Sequence, residues 1–233
     1  MLRDTALPYL WSDDILVRYI KDAEHRFARH TLCIRDGATE ILTQVTLETD
    51  VKNYVLDRSV LSVLSARYDT DKNDLFRSSH AIVAERLDTS HNIESWYVSG
   101  VEDTGRPNAY FTDETLVSGG VARVTLSVYP TPTLTENGKL VYLRVVRLPR
   151  TVYSLDNLNV ESEIPEDYQL DCLDWAAYRA LRNNDTDAGE SNKAANFKSS
   201  FEEAVVQANK EFKRTIFADT RIKYGENGFT YVR

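Results

Sequence analysis

Residues 164–182 read IPEDYQLDCLDWAAYRALR, and this stretch predicts an α-helix. Pro165 suits the first helical position because it has no N–H to leave unpaired, and Glu166 and Asp167 complement the positive end of the helix dipole. Apolar residues recur at helical spacing and predict one apolar face: Leu170, Leu173, Ala177 and Leu181, with Trp175 and Tyr178 beside it. The helix is expected to end in the polar run at residues 183–185.

Two further segments have the same periodicity and should pack with this helix. Ser12 is the expected N-cap of a helix over residues 13–30, with the stripe Leu16, Tyr19, Ile20, Ala23 and Phe27. A helix over residues 190–217 has the stripe Ala194, Phe197, Phe201, Ala204, Val205, Ala208, Phe212 and Ile216. Because a short polar link separates the last two helices, we expect antiparallel neighbours. The first helix cannot bury its stripe alone, so the three helices should form a bundle.

The middle of the chain has the period of two that is typical of β-strands. Apolar residues alternate with polar ones in three runs: Ile41, Val45 and Leu47; Val124, Leu126 and Val128; Leu140 and Tyr142. The turn at residues 136–139 should join two strands as a type I′ hairpin, since Asn137-Gly138 accepts positive φ angles. The sequence therefore predicts an α+β fold. A helical bundle domain with a C-terminal tail (1–38 and 163–233) is interrupted by an inserted antiparallel, sandwich- or barrel-like β domain (39–162).

Composition and charge exclude several classes of protein. The chain has 28 Lys and Arg against 36 Asp and Glu, a net charge of −8, which argues against a surface that grips nucleic acid through its phosphates. Two cysteines, Cys33 and Cys172, are too few for a disulfide scaffold, and we expect both to be reduced. The first ten residues do not resemble a signal peptide, and no run has the length of a membrane span, so folding in a cytoplasm is expected.

Catalytic motifs are absent from the sequence. There is no nucleophile elbow, P-loop, dinucleotide fingerprint or zinc-protease motif. His25 and His30 are five residues apart on a helix, so they lie on different faces and do not form a metal-binding pair. The acidic turn Asp69-Thr70-Asp71 lacks the glycine and glutamate of a calcium loop. We therefore expect that the protein is not an enzyme and that it binds no cofactor or metal. A hydrolase built from carboxylates far apart in the chain would, however, leave no such motif.

Groups of residues along nearly the whole chain occur in an order that resembles one family. They are Leu10-Trp11-Ser12-Asp13 with Tyr19-Ile20-Lys21-Asp22-Ala23; Tyr54-Val55-Leu56 with Val60, Val63 and Asn73-Asp74-Leu75; Trp96 with Gly105-Arg106-Pro107-Asn108-Ala109-Tyr110; residues 124–129 running into Pro130-Thr131-Pro132 and later Arg147-Leu148-Pro149; and residues 164–168 with Trp175-Ala176-Ala177-Tyr178-Arg179-Ala180. This set is similar to the head-to-tail adaptor (connector) proteins of tailed bacteriophages, including podovirus tail tubular adaptors. Asp57 departs from the pattern, since proline is expected there.

The resemblance implies a structural subunit of the virion neck, assembled in the host cytoplasm. It implies a homo-oligomeric ring, twelve-fold like the portal, with the portal protein above and a tail or nozzle protein below. DNA would pass through the lumen without specific binding, and an acidic lumen would repel its phosphates. The resemblance implies no catalysis and no membrane partner.

Other functions remain open at the level of sequence. Within the same particle the chain could be a stopper, a tail terminator or a capsid-decorating protein. From another class, a β-sandwich carbohydrate-binding module with helical flanks would present Trp96, Tyr97, Tyr110 and Tyr129 as a sugar platform, although such aromatics are more often core or interface residues. Binding to portal rings or to a glycan array separates these alternatives.

The C-terminal segment, residues 221–233, combines large apolar side chains with positive charge. Gly225 and Gly228 argue against continued helix, and the aromatic content is not typical of a disordered tail. We predict that this segment docks on the portal or on the adjacent subunit by aromatic anchoring or strand addition. The docking residues are Arg221, Ile222, Lys223, Tyr224, Phe229, Tyr231 and Arg233. The alternative is that the segment folds back on the chain's own β region.

Overall fold

The computed structural model describes residues 11–69, 71, 73–78, 104–112, 115–118, 121–156, 159–182, 188–218, 221–225 and 228–232. Its elements in chain order are α1 (Asp13–Thr31), β1 (Arg35–Asp36), α2 (Glu40–Thr43), β2 (Gln44–Thr46), β3 (Asn53–Val55), β4 (Val60–Tyr68), β5 (Phe76–Arg77), β6 (Ala109–Phe111), β7 (Thr115–Ser118), β8 (Val121–Tyr129), a 3₁₀ turn (Leu134–Glu136), β9 (Leu140–Arg147), α3 (Glu166–Arg182), α4 (Ala188–Ala218), β10 (Arg221–Gly225) and β11 (Gly228–Val232). The chain is therefore α+β, as predicted. It divides into a helical unit, residues 1–34 with 148–233, and a β unit, residues 35–147.

The three long helices begin and end close to the predicted residues. Ser12 is at the N-cap of α1, where its extended backbone carbonyl accepts hydrogen bonds from the N–H groups of Ile15 and Leu16, although its hydroxyl makes no capping bond. Leu32 ends this helix in the left-handed region, with φ of 54°. Pro165 directly precedes α3, and its carbonyl accepts a hydrogen bond from the Tyr168 N–H. Local capping and charge signals are sufficient to locate these helix ends.

Aromatic side chains form the centre of the helical unit. Phe27 of α1 lies 5.3 Å from Tyr168 of α3 and 6.3 Å from Phe201 of α4, measured between ring centroids. The rings of Trp175 and Phe201 are 5.2 Å apart. Tilted and edge-to-face pairs at these distances are the favoured arrangements of aromatic rings. The predicted packing of the first helix against the other two is therefore confirmed.

The predicted apolar face of α3 is wrong in part. Leu181 is buried, but Leu170 and Leu173 are 76% and 45% exposed. The buried residues of α3 are Tyr168, Cys172, Trp175, Ala176, Ala180 and Leu181. The small side chains of Ala176 and Ala180 allow the bulky Trp11 and Tyr19 to approach, and the Trp11 Nε1 donates a hydrogen bond of 3.0 Å to the Ala180 carbonyl.

Two sheets share one core in the β unit. The first has the order β1-β9-β2, with β4 also paired to β9, and the second has the order β3-β8-β6-β5, with β7 also paired to β8. Both sheets contribute to a single cluster of buried residues, among them Val63, Val141 and Val145 from the first and Tyr110, Leu126 and Val128 from the second. The strand pairs are antiparallel as expected, except that β5 and β6 pair in parallel.

The turn at residues 136–139 differs from the predicted type I′ hairpin. Asn137 has φ of −60° and ψ of 131°, and only Gly138 has a positive φ, 79°, which are the angles of a type II turn. β8 and β9 belong to different sheets, so the turn closes no hairpin between them. It is held instead by Leu47, whose carbonyl accepts a hydrogen bond from the Gly138 N–H and whose N–H donates to the Lys139 carbonyl.

The first and last strands of the β unit are neighbours. β1 pairs antiparallel with β9, and the Arg147 Nε lies 2.6 Å from the Asp36 carboxylate. Burial opposes ionisation of this carboxylate, but hydrogen bonds from the Thr39 N–H and hydroxyl, the Ala38 N–H and Arg147 outweigh it. These donors hold the pKa of Asp36 well below its usual range.

Asp36→Asn is expected to destabilise the β unit by about 2 kcal/mol at neutral pH, because it removes the charged acceptor that these donors share. A carboxylate with a lowered folded-state pKa stabilises the fold fully above the ordinary carboxyl pKa, and this stabilisation is lost as the pH falls through the folded-state pKa. The stability difference between wild type and variant, measured by urea unfolding, should therefore shrink between pH 7 and pH 3. An equal difference at both pH values would show that the charge of Asp36 contributes nothing.

Candidate interaction surface

A polar network fixes α1 against α3. The Trp175 Nε1 donates a hydrogen bond of 2.9 Å to the Asp22 carboxylate, which also lies 3.6 Å from the Arg179 guanidinium. The Arg26 guanidinium lies 4.1 Å from the centroid of the Trp175 ring, within range of a cation–π interaction. These charges therefore orient the two helices.

The buried carboxylate of the bundle, Glu24, is also satisfied by structural partners. The hydroxyls of Tyr153 and Ser162 each donate a hydrogen bond of 2.6 Å to it. Burial, together with the bond to Glu24, raises the pKa of Tyr153. Burial also raises the pKa of the Cys172 thiol, with a contribution from Glu24. Cys172 is therefore a neutral thiol at physiological pH, which does not suit a nucleophile.

An acidic groove of about 410 Å³ lies between α3 and α4. Its lining residues are Asp167, Tyr168, Asp171, Ser200, Glu203, Ala204, Gln207 and Glu211, with no Lys or Arg among them. The Tyr168 hydroxyl donates a hydrogen bond to the Glu211 carboxylate, and burial together with this bond raises the pKa of Tyr168 to about 12. Burial and the nearby Asp174 raise the pKa of Asp171. The groove is therefore lined mainly by acidic and polar side chains.

An exposed apolar strip borders the groove. Leu170, Leu173 and Ala177 are spaced by three and four residues, so they share one side of α3, and the two leucines are exposed. We call these three residues the outer face of α3. Asp167, Asp171 and Asp174 lie next to it on the same helix. Sequence reasoning missed this surface because it assigned the same leucines to the core.

The predicted docking residues lie mainly in a β-hairpin at the C-terminus. β10 and β11 pair antiparallel, and the register is Arg221 with Val232, Ile222 with Tyr231, Lys223 with Thr230, Tyr224 with Phe229 and Gly225 with Gly228. Arg233 lies outside the described residues. Among the strand pairings of the described residues, β10 and β11 pair with each other and not with the sheets of the β unit.

The family of the chain follows from a comparison with known proteins. A family model described as SU10 adaptor protein matches residues 1–221.

The chain belongs to the SU10 adaptor protein family.

This match points to a phage adaptor protein and confirms the resemblance to phage head-to-tail adaptors. A search of the curated proteins finds no match. The matched region of the adaptor includes α1, the β unit, α3 and α4, and it ends at the first residue of β10. Most of the hairpin therefore lies beyond the part of the chain that the family model covers.

Other candidate sites of the adaptor have structural partners. Asp71 of the acidic turn forms an ion pair with Arg106, whose guanidinium lies 4.7 Å from the centroid of the Tyr68 ring. Burial, followed by the nearby Lys21, lowers the pKa of His25. In the described part of the chain, no group of three or more His, Cys, Asp or Glu side chains is arranged to hold a metal ion.

The aromatic residues considered for sugar binding do not form a described platform. Tyr110 is fully buried in the core of the β unit, so it cannot stack against a sugar there. Trp96 and Tyr97 lie outside the described residues. None of the adaptor's helices, over the residues described, combines the length and apolarity that a membrane crossing requires.

Proposed function

We propose that this adaptor forms a ring in the neck of a tailed-phage virion, bound to the portal protein above and to a tail or nozzle protein below. The observation that carries the proposal is the family match over residues 1–221. The ring would contain twelve copies, in register with the portal, and would assemble in the host cytoplasm. DNA would pass through its lumen during ejection without specific binding.

The chemistry of the helical unit supports a structural role over a catalytic one. The buried Glu24 is used by Tyr153 and Ser162, and Asp22 is used by Trp175 and Arg179. Carboxylates that are engaged by structural partners in this way are poorly placed to act as general acids or bases. By contrast, the outer face of α3 is exposed, and an exposed apolar surface bordered by charge is typical of a protein interface.

Binding to the portal tests the proposal directly. The purified adaptor, mixed with portal rings of the phage that encodes it, should co-sediment with them, and native mass spectrometry should give the number of copies per ring. The major capsid protein of the same phage is the matched control and should not co-sediment with the adaptor. Binding to isolated tails with no binding to portal rings would contradict the adaptor position and favour a tail terminator.

The isolated adaptor is expected to bind duplex DNA no more tightly than about 1 µM at physiological salt, because a net charge of −8 opposes contact with phosphates. Fluorescence anisotropy with a labelled duplex of random sequence measures this affinity. Sub-micromolar binding at physiological salt would contradict a passive conduit.

A further inference from the structure

Two helices of the helical unit carry charged stripes of opposite sign. Residues of α1 that are three or four positions apart, and so share one side of the helix, form what we call the basic stripe: Arg18, Lys21, His25 and Arg29. Residues of α3 with the same spacing form the acidic stripe: Asp167, Asp171 and Asp174. We propose that the basic stripe of one copy docks on the acidic stripe of a second copy of this chain. This rests on the proposed function, since it names a contact between neighbouring copies of the ring.

The basic stripe presents charge that the fold itself does not use. Arg18, Lys21 and Arg29 are exposed. None of the three takes part in an ion pair among the described residues, and the ion pair that joins α1 to α3 uses Asp22 and Arg179 instead. These cations stand together in a chain whose net charge is −8. The stripe is therefore suited to an acidic partner.

Like charges oppose one another within each stripe. Burial, followed by the nearby Lys21, lowers the pKa of His25. On α3, burial followed by the nearby Asp174 raises the pKa of Asp171. Carboxylates placed beside the basic stripe, and cations placed beside the acidic stripe, would offset this repulsion. Contact between the two stripes does both at once.

The two surfaces also match in their apolar parts. A groove of about 630 Å³ lies between α1 and residues 153–156. Its lining residues are Asp14, Val17, Arg18, Lys21, Tyr153, Ser154, Leu155 and Asp156. Leu155 is 45% exposed, and Leu170 and Leu173, which lie beside the acidic stripe, are 76% and 45% exposed. Covering these leucines removes apolar area from water, which is the main driving force of association.

Charge and apolar surface together select the partner of the basic stripe. The C-terminal segment has three cations against the single acid Glu226, so the basic stripe repels it. A DNA duplex would satisfy the cations with its phosphates but offers no apolar side chains to cover Leu155. The acidic stripe with the adjoining outer face of α3 offers both carboxylates and leucines.

The partner cannot be the α3 of the same chain. α1 packs on α3 through the side that carries Phe27, whose ring lies 5.3 Å from that of Tyr168. Arg18 is nine residues before Phe27, which is two and a half helical turns, so it lies on the opposite side of α1. The basic stripe is therefore turned away from its own α3. A contact between two different surfaces of neighbouring copies repeats head to tail, and such contacts close into rings when the rotation allows.

Charge reversal on each side of the contact provides the test. The α1 variant is Arg18→Glu with Lys21→Glu, and the α3 variant is Asp171→Lys with Asp174→Lys. Each variant alone should weaken self-association of the full chain about tenfold in sedimentation equilibrium, because it replaces attraction by repulsion. Circular dichroism should show that both variants are folded.

Matched controls carry equal charge changes at exposed positions outside both stripes. They are Arg58→Glu with Arg77→Glu, and Glu40→Lys with Glu161→Lys. Neither control should change self-association. Controls that weaken it as much as the stripe variants would overturn the assignment to α1 and α3.

Mixing the α1 variant with the α3 variant should restore self-association. In the mixture, the reversed α1 of one chain meets the reversed α3 of the other, and the native α1 meets the native α3, so both contacts are again attractive. No restoration by mixing would overturn the proposal. A wild-type chain that stays monomeric at its highest soluble concentration would overturn it as well.

The chain's own C-terminal segment is the rival partner of the acidic stripe. A chain with Arg221→Glu and Lys223→Glu, mixed with the α3 variant, should not restore self-association. Neither should one chain that combines these changes with Asp171→Lys and Asp174→Lys. Restoration in either sample, with none by the α1 variant, would assign the acidic stripe to the C-terminal segment and overturn the proposal.

DNA is the rival partner of the basic stripe. Fluorescence anisotropy at low salt, where weak contacts to phosphates are strongest, compares the wild-type chain with the α1 variant. We expect the α1 variant to lose self-association whether or not its weak DNA binding changes. Loss of DNA binding with unchanged self-association would assign the basic stripe to DNA and overturn the proposal.

Portal co-sedimentation of the same samples separates this proposal from the proposed function. If mixing fails to restore self-association while the wild-type chain still binds portal rings, the contact is wrong and the adaptor function stands. If mixing restores self-association but portal rings are not bound, the contact stands and the proposed function fails.

Discussion

Phe201→Asp is expected to unfold the helical unit. Phe201 is 1% exposed and lies between the rings of Phe27 and Trp175, so the substitution places an unpaired carboxylate at the meeting point of three helices. Burying a charge without a partner costs several kcal/mol, a large part of the stability of a typical domain. Far-ultraviolet circular dichroism should show a marked loss of helix, or a melting temperature lowered by more than ten degrees.

The control for this experiment is Val206→Asp, a similar change on the same helix at a residue that is 53% exposed. Here the carboxylate stays in water, so thermal stability should change little. An unchanged melting temperature of Phe201→Asp would mean that the three helices do not pack around this ring.

Truncation after Thr220 is expected to leave the chain folded but to abolish assembly. The strands that it removes, β10 and β11, pair with each other and not with the sheets of the β unit, so their loss breaks no strand pair of those sheets. Circular dichroism should therefore show a folded, soluble protein. Ring formation and co-sedimentation with portal rings should both be lost, because the segment supplies the basic and aromatic side chains for docking.

A chain of full length in which residues 221–233 are replaced by a Gly/Ser sequence is the matched control, since it keeps the length and removes the side chains. It should behave like the truncated chain. Intact assembly after truncation would exclude a docking role for the segment. Unfolding of the truncated monomer would instead support the alternative, in which the segment folds back on its own chain.

The helices could be predicted because their signals are local. Ser12, Pro165 and the acidic residues that follow them mark the helix starts without reference to the rest of the fold. The buried face of α3 could not be predicted in the same way. Apolar residues recur at helical spacing on two sides of this helix, and hydrophobicity alone would assign Leu170 and Leu173 to the buried side. Which side is buried depends on side-chain size, because the small Ala180 leaves room for Trp11. Trp11 is far from Ala180 in the sequence, so local reasoning does not reveal this contact.

The pairing of the strands was likewise beyond local reasoning. Asn137-Gly138 is a strong hairpin signal, but the partner of this turn is Leu47, about ninety residues earlier in the chain. The outer face of α3 was missed for a related reason, because an exposed apolar strip and a core strip look the same in sequence. The docking role of the C-terminal segment stays a prediction, made because the aromatic and basic composition of the segment differs from the rest of the chain.

The pairing of β1 with β9 also has a consequence for the order of folding. During synthesis, residues 35–147 emerge before α3, so α1 must wait for the partners of its apolar face. Once the β unit has folded, its paired first and last strands bring the two flanking segments together. This reduces the entropic cost of closing the loop between α1 and α3 by roughly 1.5 kcal/mol. The β unit would thus act as a folding template, and weakening the Asp36–Arg147 pair should slow formation of the helical bundle even though neither residue belongs to it.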